Sequence, residues 1–434
     1  MTAEAGGTVV VRPGPVAGAV RAPGSKSHTH RAFLLGAQSE VPSTVTGALR
    51  AADTQATIDC LRLLGANASW DARDAGVVRF QPARLRPTPH LLDCRNSGTT
   101  LRLLAATVAR FGARSILDGD QSLRARPNGP LLDALHALGA RTESRAGCAP
   151  LAVQGPLRPG EASLPPATSS QFASGLLLSL PFLEAPSVVR LAHPLSSAPY
   201  LDLTLHIARQ AGLRIAQRDG PGGRSYAVAG GDSVRLPHAA VEGDWSSAAF
   251  ALCAAAATGG AVRVDGLEGA SMQGDKAVAQ VLRAFGAHVE VTAGHATCRG
   301  GPLESPGEVD VRHTPDLFPA LAVVAAVARG TTTFTGGASL RRKESDRIGA
   351  MAEALARMGA DVQQLEDGLR VRGGSLRGAA VASRGDHRIH MALCVAGLAA
   401  SSATTVDGAA STAVSYPGFH DDLRRLGARL DVRA

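Results

Sequence analysis

The chain has 434 residues, a net charge of +8, 45% apolar residues and only 3% aromatic ones. Its length suggests two or three domains, and its apolar content large cores rather than disorder. Scarce aromatics and singly dispersed basic residues argue against a nucleic-acid partner and favour small anionic substrates.

No apolar run reaches the roughly 18 residues of a spanning helix. The start, Met1 to Gly7, lacks a basic segment followed by an apolar one. The reading is therefore a cytoplasmic protein with no membrane partner. The six cysteines, at 60, 94, 148, 253, 298 and 394, form no C-x-x-C pair. Neither a zinc site nor a disulfide framework is expected, and no metal or cofactor is assigned.

The first predicted strand, around Thr8 to Arg12, precedes any helix signal and is expected to pair with the second half of the chain. A sixfold repeat then begins. Each copy opens with a polar, helix-starting segment: Gly24-Ser-Lys-Ser, Asn96-Ser-Gly-Thr, Ser169-Ser-Gln, Gly243-Asp-Trp-Ser, Thr314-Pro-Asp and Gly385-Asp-His-Arg. Small polar residues there suit N-caps. Each copy closes a second helix with Leu-x-x-apolar-Gly or a near variant, at Gly65, Gly139, Gly212, Gly286, Gly359 and Gly427. Glycine past a helix end takes the left-handed conformation that terminates it. A unit this long is an α/β module rather than a solenoid repeat. Three plus three units gives domains at 24–240 and at 1–23 plus 241–434. Equivalent helix starts at equivalent ends create a region of N–H groups and positive dipole ends that suits anions.

Arginine supplies nearly all the basic charge. The three lysines are Lys26, Lys276 and Lys343, and a lysine here is expected where a compact ammonium does what a planar guanidinium cannot. Lys26 sits in Pro23-Gly-Ser-Lys-Ser-His-Thr-His-Arg31, a glycine-led turn with hydroxyls and two cations. It is not the nucleotide-binding loop, because GxxxxGK[ST] is absent. Lys343 sits in Arg341-Arg-Lys-Glu-Ser-Asp-Arg347, predicted to open the helix that ends at Gly359. Leu123-Arg-Ala-Arg126-Pro adds further basic groups.

These segments, GSKS…R, N-x-G-T, the R-P of LRARP, SSQ, TPD, KESDR and DHR, resemble in order and spacing those of the EPSP synthases, over essentially the whole chain. The resemblance implies a two-domain inside-out α/β barrel, each domain built of three βαβαββ units, with the active site in the cleft between them. It implies transfer of the enolpyruvyl group of phosphoenolpyruvate to the 5-hydroxyl of shikimate 3-phosphate through a tetrahedral intermediate, on the route to chorismate and aromatic amino acids. It assigns Lys26, Ser27, Arg31, Ser169, Ser170, Gln171, Ser197, Tyr200, Asp316, Ser339 and Lys343 to shikimate 3-phosphate. Lys26, Asn96, Gly98, Arg126, Gln171, Arg347 and Arg388 fall to phosphoenolpyruvate, and Asp316, Glu344 and Lys26 to catalysis. It also implies sensitivity to glyphosate in the phosphoenolpyruvate pocket. Three positions depart from the common pattern: Val414 and Ser339 stand where many members have lysine and asparagine, and His30 replaces a common asparagine.

Asp316 is the expected base for the attacking hydroxyl, and Glu344 or Lys26 the group that protonates C3. The cations are divided between the halves, so the site is expected to be complete only after closure. A monomer with small-molecule substrates is expected. The related UDP-N-acetylglucosamine enolpyruvyl transferases start with Lys-Asn and carry a loop cysteine. Here Ser27 follows Lys26, and no cysteine lies between Cys94 and Cys148. RNA 3′-phosphate cyclase does not fit the charge pattern. A catalytically dead anion-binding homologue would have to have lost acids that are present.

Overall fold

A computed structural model describes residues 6–433. The chain divides into two compact units: Gly24–Val241 forms one, and the segments up to Pro23 and from Glu242 form the other. Each unit holds three four-stranded sheets of one design. In the sheet of Leu92–Asp93, Arg114–Asp118, Arg141–Arg145 and Cys148–Gln154, the first strand runs parallel to the second. The fourth lies between the second and third, antiparallel to both.

Strands distant in sequence complete three of the sheets. Ala17–Arg21 lies parallel to Ala261–Glu268, and His238–Ala240 parallel to Ser43–Thr46. Thr8–Val11 sits between Thr404–Asp407 and Leu430–Arg433, antiparallel to both. Its sequence, TVVV, explains the place. β-branched residues favour strands, and alternate side chains are buried.

Two helices accompany each sheet, and they differ in composition. Those that follow the polar starting segments are buried nearly all round and form the core. Trp245–Thr258, Phe318–Val327 and His387–Ala399 pack on one another in one unit. Lys26–Gly36, Gly98–Val108 and Ser170–Leu177 are their counterparts in the other. The outer helices end as the sequence predicts: φ is 98° at Gly65, 89° at Gly139 and Gly359, 88° at Gly212, 96° at Gly286 and 87° at Gly427. At Gly359 the N–H donates to the Ala356 carbonyl at 2.9 Å, and Ala360 donates to Leu355 at 3.0 Å, satisfying the last carbonyls.

The predicted caps divide. Ser97, Ser169, Asp244 and Asp386 accept a hydrogen bond from the first turn of their helices, whereas Ser25 and Thr314 make none through their side chains. The KESDR helix also begins later than predicted. It runs Arg347–Arg357 with Asp346 as its cap, so Lys343 and Glu344 lie in the preceding loop. Among the described residues all six cysteines are free, and no helix is long and apolar enough to cross a membrane.

Candidate active site

In the unit Gly24–Val241, three core helices start where the sequence places polar residues. Lys26 is the first residue of its helix, and its ammonium lies 2.9 Å from Asp53 Oδ2, with both side chains largely buried. Asp53 opens helix Ala52–Leu63. Nothing in the sequence marks it as more than an early-helix acid, so sequence reading missed it. Ser27 is half-buried one residue on.

Arg31 is buried. Its Nε donates to Thr204 Oγ1 at 2.7 Å, Nη1 to the Ser27 carbonyl at 2.8 Å, and Nη2 to Ser174 Oγ and the Tyr200 carbonyl. All these acceptors are neutral. Burial without a carboxylate lowers its pKa to about 10, still charged at neutral pH. Arg31 thus supplies a positive field while fixing Ser27 and Tyr200, two residues assigned to the same substrate. Ser197 begins helix Ala198–Gln210 at φ 54°, ψ 38°. A left-handed serine of this kind costs of order 1 kcal/mol and is held in place by its surroundings.

The second polar start builds a subsite around Arg126. Its Nη2 donates to Asn96 Oδ1 at 2.7 Å and to Ser122 Oγ at 3.0 Å, while Asn96 Nδ2 donates to Asp120 at 2.6 Å. Arg124, in the same LRARP segment, turns away to Asp118 at 2.8 Å. Gly98 opens the adjacent helix. A Cβ added there would stand 3.3 Å from Arg126 Nη1 and 3.5 Å from Arg102 Nη1. Arg102, another residue missed, donates to Gln171 Oε1 at 2.7 Å, and Gln171 Nε2 donates to Thr99 Oγ1 at 2.8 Å. Ser169 caps the helix that Ser170 and Gln171 open. His30 lies inside, its Nδ1 2.7 Å from Thr57 Oγ1, and burial together with Lys26 and Arg31 keeps it neutral.

In the other unit, three cations meet three carboxylates. Arg347 is buried and central. It reaches Asp386 Oδ2 through Nε at 2.8 Å, Asp316 Oδ1 through Nη1 at 2.9 Å and Glu344 Oε2 through Nη2 at 2.7 Å. Burial opposes its charge, but Asp386, Glu344 and Asp316 raise its pKa above the ordinary value. Asp316 also lies 3.0 Å from Arg388 Nη2 and 3.8 Å from Lys343 Nζ. Burial alone would push its carboxyl up, yet Arg388, Lys343 and Arg347 hold it well below the usual carboxylate range.

Asp386, fully buried, caps helix His387–Ala399 through the Arg388 N–H at 2.9 Å and accepts from Ser345 Oγ at 3.1 Å. It stands in the DHR segment, but sequence reading gave it no role. Asp275 was also missed. It is buried, accepts from Ser246 Oγ, and is raised to about 7 by burial and by Asp316. Ser339 and Val414 are half-buried. The third lysine is structural: Lys276 Nζ donates to the Gly269 and Ser271 carbonyls at 2.9 and 3.1 Å.

Comparison with known proteins gives one consistent result. The family model described as EPSP synthase (3-phosphoshikimate 1-carboxyvinyltransferase) matches residues 10–423. A 3-phosphoshikimate 1-carboxyvinyltransferase of Methanocorpusculum labreanum is 43% identical over 426 residues, covering 97% of this chain and 98% of the relative. One from Halobacterium salinarum is 43% identical over 440 residues, covering 98% of each. Among solved structures, an EPSP synthase from Acinetobacter baumannii superposes with a TM-score of 0.81 at 30% identity, over 99% of this chain and 100% of that one. The enolpyruvyl transferase NikO from Streptomyces tendae shares the fold, with a TM-score of 0.79 at 22% identity over 98% of this chain and 99% of that one.

Proposed function

We infer the residue roles below from the premise that this chain belongs to the EPSP synthase family, the 3-phosphoshikimate 1-carboxyvinyltransferases. The enzyme transfers the enolpyruvyl group of phosphoenolpyruvate to the 5-hydroxyl of shikimate 3-phosphate and releases phosphate. The full-length match carries that conclusion. Phosphate release by the purified chain with both substrates, and none with either alone, is its direct test.

Charge and geometry support these roles. Each substrate carries about three negative charges near neutral pH, since the second phosphate pKa is about 6. Two such anions repel, and fixed cations offset that. Ser27, Ser169, Ser170, Gln171, Ser197 and Tyr200 hold shikimate 3-phosphate, with Arg31 supplying charge from beneath. Lys26, Arg126, Arg347 and Arg388 hold phosphoenolpyruvate, Arg126 being oriented by Asn96. Asp316 takes the proton from the attacking hydroxyl. Glu344 or Lys26 delivers a proton to C3, and a proton is recovered from the resulting methyl group as phosphate leaves. Positioning two reactants together contributes several kcal/mol beyond the acid–base groups.

The proposed residues are divided between the two units, so both units must act on one pair of substrates. We take the active species to be a cytoplasmic monomer that closes on shikimate 3-phosphate. The scattering radius of the protein should fall at saturating shikimate 3-phosphate alone. An unchanged radius would count against closure.

Among the groups around Asp316, cations and carboxylates balance before substrate arrives, so the ionisation of one further acid matters. Burial, and then the negative charge of Asp316, push Asp275 up to about 7, with Arg388 opposing. Below that pH it is neutral. Above it, a new negative charge weakens the attraction for an anion. The expected result is a KM for phosphoenolpyruvate that rises above neutral pH, and an Asp275→Asn enzyme in which this rise is flattened relative to wild type. Superimposable pH profiles would remove Asp275 from the binding field.

Gly98→Ala tests the phosphoenolpyruvate pocket. The added methyl would crowd Arg126 Nη1 at 3.3 Å, and the tip of an arginine can yield a few tenths of an ångström. A several-fold rise in KM for phosphoenolpyruvate is expected. A larger rise is expected in the inhibition constant of glyphosate, which is longer and has less room to shift. Steady-state inhibition kinetics measure both constants. An equal change in the two would show that the methyl acts through Arg126 alone.

A further inference from the structure

One buried cluster takes no part in the roles assigned above. His390 and Cys394 stand one turn apart on helix His387–Ala399 and so face the same side. His420, near the start of helix Phe419–Arg425, meets them there. His390 Nε2 lies 2.9 Å from His420 Nε2 and 3.5 Å from Cys394 Sγ. The three donor atoms all fall within 4.8 Å of one another. We propose that His390, Cys394 and His420 form a binding site for a single thiophilic d10 metal ion of the zinc class.

The chemistry of the donors supports this on four counts. Two imidazoles and a thiolate are the donor set that zinc-class ions prefer. The ring of His390 is already oriented, because its Nδ1 lies 2.6 Å from the Asp407 carbonyl oxygen. A carbonyl only accepts, so Nδ1 carries the proton and Nε2 presents its lone pair to the cluster. An outer hydrogen bond of this kind fixes the tautomer of metal-binding histidines. Next, the two distances from His390 are close to those required. Tetrahedral coordination at about 2.05 Å to nitrogen and 2.3 Å to sulfur sets the N···N separation near about 3.3 Å and N···S near about 3.6 Å. The observed N···S distance of 3.5 Å already matches. The N···N pair must open by a few tenths of an ångström, and His420, 9% exposed, lies on the more open side of the cluster. Finally, both rings are neutral at pH 7. Burial lowers the pKa of His390 and takes that of His420 to about 4.

The thiol sets the cost. Burial pushes the Cys394 thiol well above its ordinary value, so the metal-free site holds S–H. On binding, the sulfur–metal bond forms and one proton leaves to solvent, which makes affinity rise with pH. The competing description is a hydrogen-bonded histidine pair with no ion. It accounts for the N···N distance and leaves Cys394 a bystander.

The test uses the full chain, stripped with chelator and then titrated with Zn2+ against a chromophoric chelator, with Co2+ as a spectroscopic stand-in. One equivalent of zinc per chain should survive gel filtration. Cobalt should give the intense visible bands of a tetrahedral site and a thiolate-to-metal charge-transfer band. Cys394→Ser should abolish that band, and Cys394→Ser and His420→Asn should each weaken zinc binding at least about tenfold. Phosphate release by both variants should stay near wild type. Substoichiometric zinc with no thiolate band, or variants that bind as tightly as wild type, would overturn the site. If His420→Asn does not fold, Cys394→Ser and the wild-type stoichiometry still decide the matter.

Discussion

Arg347→Ala should abolish turnover and also unfold its unit at a markedly lower temperature. The guanidinium is buried and touches Asp386, Asp316 and Glu344 at 2.7 to 2.9 Å. Removing it leaves Asp386, which has no solvent exposure, beside two further acids. Breaking a buried ion pair by deleting one partner typically costs 3–5 kcal/mol, because the stranded charge has neither water nor counterion. For a domain of this size that is about 2–4 °C of melting temperature per kcal/mol, or roughly 10 °C. Protonation of Asp386 would recover part of the loss. The deficit should therefore shrink as pH falls, since the native Asp386 pKa, held low by Arg347, is free to rise in the variant. Thermal denaturation across pH, with phosphate release measured on the folded fraction, separates the two effects. A melting temperature within about 2 °C of wild type would mean that the three acids do not depend on Arg347.

Much of this arrangement was legible in the sequence because it repeats. The glycine that closes each outer helix must adopt a left-handed conformation, so it punctuates the chain six times. The polar residues before each core helix stand out against apolar runs such as FPALAVVAAV. Lys26 and Lys343 stood out in an arginine-rich chain, and both lie in the proposed site. Lys276, equally rare, turned out to bind loop carbonyls, so rarity alone does not distinguish chemistry from structure. The missed residues share a different property. Asp53, Asp275 and Asp386 act through partners remote in sequence or buried with them, and an acid at a helix start has the same local signature whether it caps the helix or anchors a cation. The start of the KESDR helix was misplaced for a related reason. Asp346 caps it, through Gly349 N–H at 3.1 Å, and a cap later in the segment is indistinguishable by composition within a run of charged residues.

Asp316→Asn should lower kcat by about 10²–10⁴ while leaving KM for phosphoenolpyruvate unchanged or reduced. The two parameters move apart because the carboxylate has two opposed effects. Touching the side chains of both Arg347 and Arg388, it is the group proposed to accept the hydroxyl proton. As an anion 3.0 Å from Arg388 and 3.8 Å from Lys343, it also competes with the substrate for the same cations. Asparagine keeps the shape, cannot take the proton and releases the cations. The low pKa of Asp316 in the unliganded protein is a handicap for a base, since proton transfer is favoured when the acceptor pKa approaches the working pH. Binding of the substrates reverses that handicap. Each brings several negative charges to the cations that hold the Asp316 pKa down, and like charge nearby raises it. The carboxylate becomes an effective base only when both anions are in place, which couples proton removal to the presence of the second substrate. In this account the acidic limb of kcat/KM, which reports the free enzyme, does not arise from Asp316. Any acidic limb of kcat, which reports the complex, should lie at higher pH than the free carboxylate would give, and should disappear in Asp316→Asn. Full pH profiles of both parameters for the two enzymes decide the matter. A variant with kcat within tenfold of wild type and a raised KM would make Asp316 a binding group and leave the proton to another residue.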